Sequence, residues 1–196
     1  MVDIVDTNVI LWGFRDLKFA RDSVSGRMWM DVATASRAFL LHCYRTGECV
    51  VPPAIVREAM RHRVPPDMIQ RMNIYVRSLE NESIPQECVE QVRRILERKL
   101  YRSGTLRRLV ESGEGDREIL LLACARAKRG ERVRVVTGDY ALTEALEELA
   151  RSLGLRNLEI VKLVPSPKSA SETRRTIVEI LEEAAREDLS TLPPAL

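Results

Sequence analysis

The feature that most limits how this chain of 196 residues can fold is a set of short, almost wholly apolar segments separated by helical stretches. Val2, Ile4 and Val5 form the first, Cys49-Val50-Val51 the second, Val133-Arg134-Val135-Val136 the third, and residues 159–164 the last. A strand apolar on both faces must be covered on both, and strands that alternate with helices pair in parallel. The pattern therefore predicts an α/β protein, a three-layer sandwich around a parallel sheet. Helices are expected at 28–44, 54–61, 67–78, 86–102, 114–128 and 141–153, the last stopped by Gly154. Residues 15–27 read as a loop and Ser83-Ile84 as a short strand. Pro165-Ser166-Pro167 interrupts the pattern. Residues 1–164 thus read as one domain with a helical insertion, and 165–196 as a C-terminal helical tail. The tail's stripe of Ile177, Ile180, Leu181, Ala184 and Ala185 is expected to dock on a second copy, giving at least a dimer.

Composition narrows the function classes. With 31 Lys+Arg against 29 Asp+Glu and 45% hydrophobic residues, the chain is neither a polycation, nor an acidic tail, nor a wholly disordered segment. Its longest apolar runs, such as residues 119–125, fall far short of the roughly 20 residues a membrane span needs. The N-terminal segment carries Asp3 and Asp6 and no basic flank or cleavage site, so no secretory signal is expected and the reading is cytoplasmic. Cys43, Cys49, Cys88 and Cys124 make no C-x-x-C pair and read as small buried apolar groups of an intracellular protein.

Only two histidines are present, neither in a zinc-binding pattern, and no nucleophile elbow, phosphate loop or dinucleotide fingerprint occurs. What remains is carboxylates at telling places. Asp6 and Asp139 follow two strands and should face the crevice beyond the carboxyl ends of the sheet. Glu58 lies on a short helix opened by Pro52-Pro53, and Asp116 follows Gly113 and Gly115 at the expected start of the 114–128 helix. Each acid taken alone has a plain explanation as a cap or a solvated side chain. Together they would repel and raise one another's pKa unless a cation neutralised them. An all-oxygen donor set suits Mg²⁺ or Mn²⁺, as one or two ions, and such a site could orient water for in-line attack on a phosphodiester.

In this order, Asp6-Thr7-Asn8, Pro53 with Glu58, Gly113-Glu114-Gly115-Asp116 running into Ile119-Leu120-Leu121-Leu122-Ala123, and Thr137-Gly138-Asp139 resemble the PIN-domain nucleases across residues 1–164. The resemblance implies a Rossmann-like α/β/α fold and a Mg²⁺- or Mn²⁺-dependent endoribonuclease directed at single strands. It makes Asp6, Glu58, Asp116 and Asp139 metal ligands or supporting acids, and Glu114 a further acid. Thr7, Asn8 and Thr137 would assist through hydroxyl or amide contacts.

The 15–27 segment, the long helical insertion and the tail make the chain larger than the compact toxin members, for which an antitoxin partner would be expected. Length and insertion also resemble the PIN-like protein-only RNase P proteins that mature tRNA 5′ ends and assemble into oligomers, although Asn8-Val9-Ile10-Leu11-Trp12 continues the first motif differently. For RNA, the expected phosphate contacts are Arg57 and Arg61 beside Glu58, Arg15 in the basic loop, and Arg94 and Arg98 in a denser basic helix where Glu90 and Glu97 offer ordinary pairing. Trp12 is expected in the core, and Tyr140 beside Asp139 stays open between packing and base stacking. Two other readings stand: a PIN scaffold that binds without cutting, and a haloacid-dehalogenase-type phosphatase, whose second acid would have to occupy the place of Asn8.

Overall fold

A computed structural model describes residues 1–14, 24–103 and 106–163. Strands β1 (Val2–Val5), β2 (Cys49–Val51), β3 (Tyr75–Val76), β4 (Val133–Thr137) and β5 (Leu158–Lys162) form one sheet in the order β3-β2-β1-β4-β5. Every neighbouring pair is parallel. The helices are α1 (Thr7–Phe14), α2 (Val24–Thr46), α3 (Pro53–Arg61), α4 (Pro66–Arg71), α5 (Gln86–Ser103), α6 (Leu106–Lys128) and α7 (Tyr140–Leu153). Parallel neighbours need crossovers, and right-handed crossovers put those of β1 to β2 to β3 on one face of the sheet and those of β3 to β4 to β5 on the other. The contacts agree: α1 packs on α2, whereas α5, α6 and α7 pack on one another. The result is the three-layer α/β arrangement that the alternating pattern predicts.

Both covered faces account for the composition of β4, whose five residues are all buried. One of them is charged. Arg134 is the register partner of Asp3 on β1, and its Nε and Nη2 donate to Asp3 Oδ1 and Oδ2 at 2.8 and 2.9 Å. Beneath α2, His42 Nε2 stands 2.9 Å from Asp3 Oδ2, and the guanidinium lies over the Phe39 ring, 5.6 Å from its centroid. Burial alone would raise the Asp3 pKa, but the bonds to His42 and Arg134 outweigh it and hold the carboxyl below its ordinary value.

Several expected boundaries move. Helix α2 starts at Val24, so residues 24–27 are helical and not loop. The rest of that loop, with Arg15, and the tail 165–196 with its apolar stripe lie outside the described residues. The helix expected at 67–78 ends at Arg71, because Asn73 adopts φ 56, a left-handed conformation Asn tolerates. Tyr75 and Val76 then join β2 as the sheet's edge, and Ser83-Ile84 forms no strand. Helix α6 starts at Leu106, which places Gly113, Gly115 and Asp116 inside it.

The cysteines are buried as expected, yet they are paired: Cys43 with Cys49 and Cys88 with Cys124, at Cα separations of 5.2 and 5.9 Å. Both separations lie in the bridging range, and the second pair meets only because α5 packs on α6. Among the described residues no helix is long and apolar enough to cross a membrane.

The two bridges close loops of very different length, 36 and 6 residues of separation. On the chain-entropy scale, replacing Cys88 and Cys124 by Ala lowers the unfolding free energy by about 4 kcal/mol, and replacing Cys43 and Cys49 by about 2 kcal/mol. Urea unfolding of the two double variants under non-reducing conditions checks the order.

Candidate active site

From β1 the chain moves to β2 and β3, then returns to β4 on the other side of β1. The order reverses between β1 and β4, and in open parallel sheets the ligand crevice lies beyond the carboxyl ends at that point. Asp6 follows β1 directly, its backbone N–H donating to Val136 O at 3.1 Å. Thr137 ends β4, and Asp139 follows after Gly138.

Asp6 is buried. Its Oδ2 accepts from the Thr137 hydroxyl at 2.7 Å and from Asn8 Nδ2 at 3.4 Å, and among the described residues no cationic side chain pairs with it. Burial raises its pKa. The Thr137 bond opposes that rise, the charges of Asp139 and Glu58 add to it, and the Thr7 backbone N–H opposes it again. The balance lifts the carboxyl from 3.8 to about 6. Asp3, three residues earlier, has the neutralising partner that Asp6 lacks.

Glu58 reaches the same region from α3. Its Oε2 accepts from the Thr7 hydroxyl at 2.8 Å and lies against Gly115 of α6, where an added Cβ would stand 3.2 Å from that oxygen and 3.0 Å from Ile55 Cδ1. Glycine at 115 therefore lets α6 approach α3 without displacing Glu58. Asp139 caps α7, its Oδ1 accepting from the N–H groups of Ala141 at 2.6 Å and Leu142 at 3.0 Å. The Asp139 N–H in turn donates to Thr137 Oγ1 at 2.9 Å, so one threonine hydroxyl ties the Asp139 backbone to the Asp6 carboxylate. Trp12 is buried, as expected, with its indole against Gly138, where any Cβ would overlap the ring.

The remaining candidates take other places. Asp116 lies partly exposed inside α6, so it does not cap a helix start. Glu114 is exposed, and its Oε1 accepts from Arg57 Nη2 at 2.8 Å. Arg57 also stands 3.6 Å from Glu118 Oε1. The sequence reading missed Glu118, whose Oε2 accepts from the Ala54 N–H at 2.9 Å and so satisfies the start of α3. The signal was available: Pro52-Pro53 leaves Ala54 as the first donor of that helix, and Glu118 is four residues from Glu114 on the same face. Arg61 is exposed beyond Glu58. Arg94 lies 4.0 Å from Glu90 and Arg98 2.6 Å from Glu148, so both are paired with carboxylates.

The structure thus brings Glu58 and Asp139 each into electrostatic range of Asp6, with Thr7, Asn8 and Thr137 bonded to these residues, and leaves Glu114 with Arg57. Among the described residues, no three acidic, histidine or cysteine side chains are gathered closely enough to form a metal-binding group as they stand. The chemistry of the set nevertheless fits a hard divalent cation, since its donors are carboxylate, hydroxyl and amide oxygens and its buried acid pairs with no cationic side chain among the described residues. In comparison with known proteins, no family model, no curated protein and no solved structure matches the chain.

A raised carboxyl pKa has a definite sign. The unfolded chain releases the Asp6 proton first, so stability falls as pH rises from about 4 through about 6, by about 3 kcal/mol in total. Asp6→Asn keeps an acceptor for Thr137 and removes the charge. The variant should be more stable than the parent by about that amount at pH near 7 and indistinguishable from it at pH near 3.5, as urea unfolding at the two pH values will show.

Proposed function

We propose that this protein is a Mg²⁺- or Mn²⁺-dependent endoribonuclease of PIN-like architecture. One observation carries the reading: a buried aspartate at the switch point of a parallel sheet, paired with no cationic side chain among the described residues and within electrostatic range of two further carboxylates. Asp6, Glu58 and Asp139 would hold the ion, with Asp116 the next acid along α6. When bound, such an ion would supply activation of an attacking water and stabilisation of charge on the phosphoryl oxygens.

The chain's own groups supply the rest. Thr137 fixes the rotamer of Asp6, Thr7 fixes that of Glu58, and Asn8 gives Asp6 a second, longer contact. These neutral donors orient the acids while leaving their negative charge uncompensated, which an arginine in the same place would cancel. The indole of Trp12 against Gly138 keeps the turn between Thr137 and Asp139 in place. Arg61, exposed one turn beyond Glu58, is the phosphate contact we assign, because Arg57 is engaged by Glu114 and Glu118. Asn8 stands where a phosphatase of the haloacid-dehalogenase type needs its second acid, which favours nuclease over phosphatase.

The test is cleavage of end-labelled single-stranded RNA by the full chain with Mn²⁺, with EDTA, and in the variants Asp6→Asn and Asp139→Asn. Cleavage should need the metal, and each variant should lose at least the roughly 100-fold that loss of an outer metal partner can reach. Thr137→Val should lose about 10- to 100-fold, because its hydroxyl holds both the Asp6 carboxylate and the Asp139 backbone. Cleavage that persists in EDTA or in Asp6→Asn overturns the proposal, and release of phosphate from p-nitrophenyl phosphate without RNA cleavage would replace it with a phosphatase.

A further inference from the structure

Tyr140 is the most exposed large hydrophobic side chain among the described residues, at 63%. It stands directly after Asp139, at the first position of α7, where its backbone is pinned. Asp139 Oδ1 caps the two following N–H groups, and the Thr143 hydroxyl donates back to Asp139 O at 2.8 Å. Two other tyrosines are exposed among the described side chains, and they belong elsewhere. Tyr75 is on β3 at the far edge of the sheet, with Arg77 already over its ring at 5.9 Å, and Tyr44 lies near that edge, its carbonyl accepting from Asn73 Nδ2. Among the described residues no ring or guanidinium covers Tyr140.

The end of α7 at the crevice also offers no anion site, because Asp139 fills its N-terminus with a carboxylate. What the start of the helix carries there is an exposed aromatic ring. A tyrosine loses little conformational freedom when it binds, and every nucleobase has a π-face, so stacking on such a ring is tolerant of sequence. Inside a duplex those faces are covered by neighbouring bases, and only an unpaired base can use the ring.

We infer that Tyr140 is the stacking platform for an unpaired base of the RNA strand at the mouth of the site, and hence a residue that selects single strands over duplexes. The inference rests on the nuclease reading above and adds to it a determinant outside the acids. Tyr140 positions the strand and does not touch the reacting atoms.

The experiment uses the full chain carrying Asp6→Asn, which should bind RNA without cutting it, and a ten-nucleotide single strand with one 2-aminopurine. Binding is followed by fluorescence beside that of a duplex of the same sequence. Adding Tyr140→Ala should weaken single-strand binding by about tenfold, within the range of one base–aromatic stack. It should also relieve the 2-aminopurine quenching and leave duplex binding unchanged, while Tyr140→Phe keeps affinity and quenching. Equal affinity in the Ala and Tyr forms overturns the inference, as does a loss in Phe equal to that in Ala. If the parent chain cleaves RNA with Mn²⁺ while Tyr140→Ala leaves binding and KM unchanged, only this inference fails. If the parent neither binds nor cuts RNA, the nuclease reading fails with it.

Discussion

The structure depends on the parallel pairing of β1 with β4, the junction across which the chain reverses its direction through the sheet. The register of that pair sets Asp3 opposite Arg134 and Ile4 opposite Val135. A slip of one residue would turn every side chain of the strand to the other face and strand two buried charges without partners. Because the loss of one partner of a buried pair costs several kcal/mol, the ion pair discriminates strongly among registers even if its net contribution to stability is small. The same register brings Thr137 to Asp6 at the end of the pair. A charge pair in the middle of the sheet thus helps to set the geometry of the buried Asp6 at its rim.

The contrast between the two aspartates of this short segment is chemical as well as positional. Asp3 receives a guanidinium and an imidazole and is held ionised below its ordinary pKa. Asp6 receives a hydroxyl and an amide, and burial together with Asp139 and Glu58 raises it to about 6. Burying a carboxylate with neutral donors opposes folding above its pKa, a cost that the metal site proposed above would account for. Threonine suits such a site because its hydroxyl fixes the acid's rotamer through one hydrogen bond and adds no charge.

Local signals in the sequence reached the parts of the fold that local forces decide. Apolar segments bounded by helices foretold the parallel sheet, and Asp6 and Asp139, placed by the ends of their strands, were found at the switch point. The errors lie where distant partners decide. Asn73 in a left-handed conformation diverts the chain from helix to edge strand, and a helical pattern from 67 to 78 does not register it. Gly113 and Gly115 read as a helix start because glycine is a poor helix former, yet Gly115 lies where α6 must approach Glu58 and Ile55. The cysteines show no pairing motif because Cys88 and Cys124 meet through helix packing. Arg98, for which the sequence offers partners only on its own helix, meets Glu148 of α7 once the chain is folded. Arg134 and Asp3, each the one charge in an apolar segment, carry a signal of pairing that strand periodicity alone does not register.

The contact of α3 with α6 explains why Glu58 and Glu114 part company although the motifs suggest a single acidic group. Ala54 donates to Glu118, and Arg57 reaches both Glu114 and Glu118, so α3 is bound to α6 along its outer side by one cap and one guanidinium. With that side engaged, Glu58 next along the helix turns inward, over the space that Gly115 leaves open, to the Thr7 hydroxyl. Arg57 and Glu114 are each about half exposed, so solvent screens their attraction. Their role is therefore one of direction more than of strength: they hold the Arg57 guanidinium on the side of α3 that faces Glu114 and Glu118.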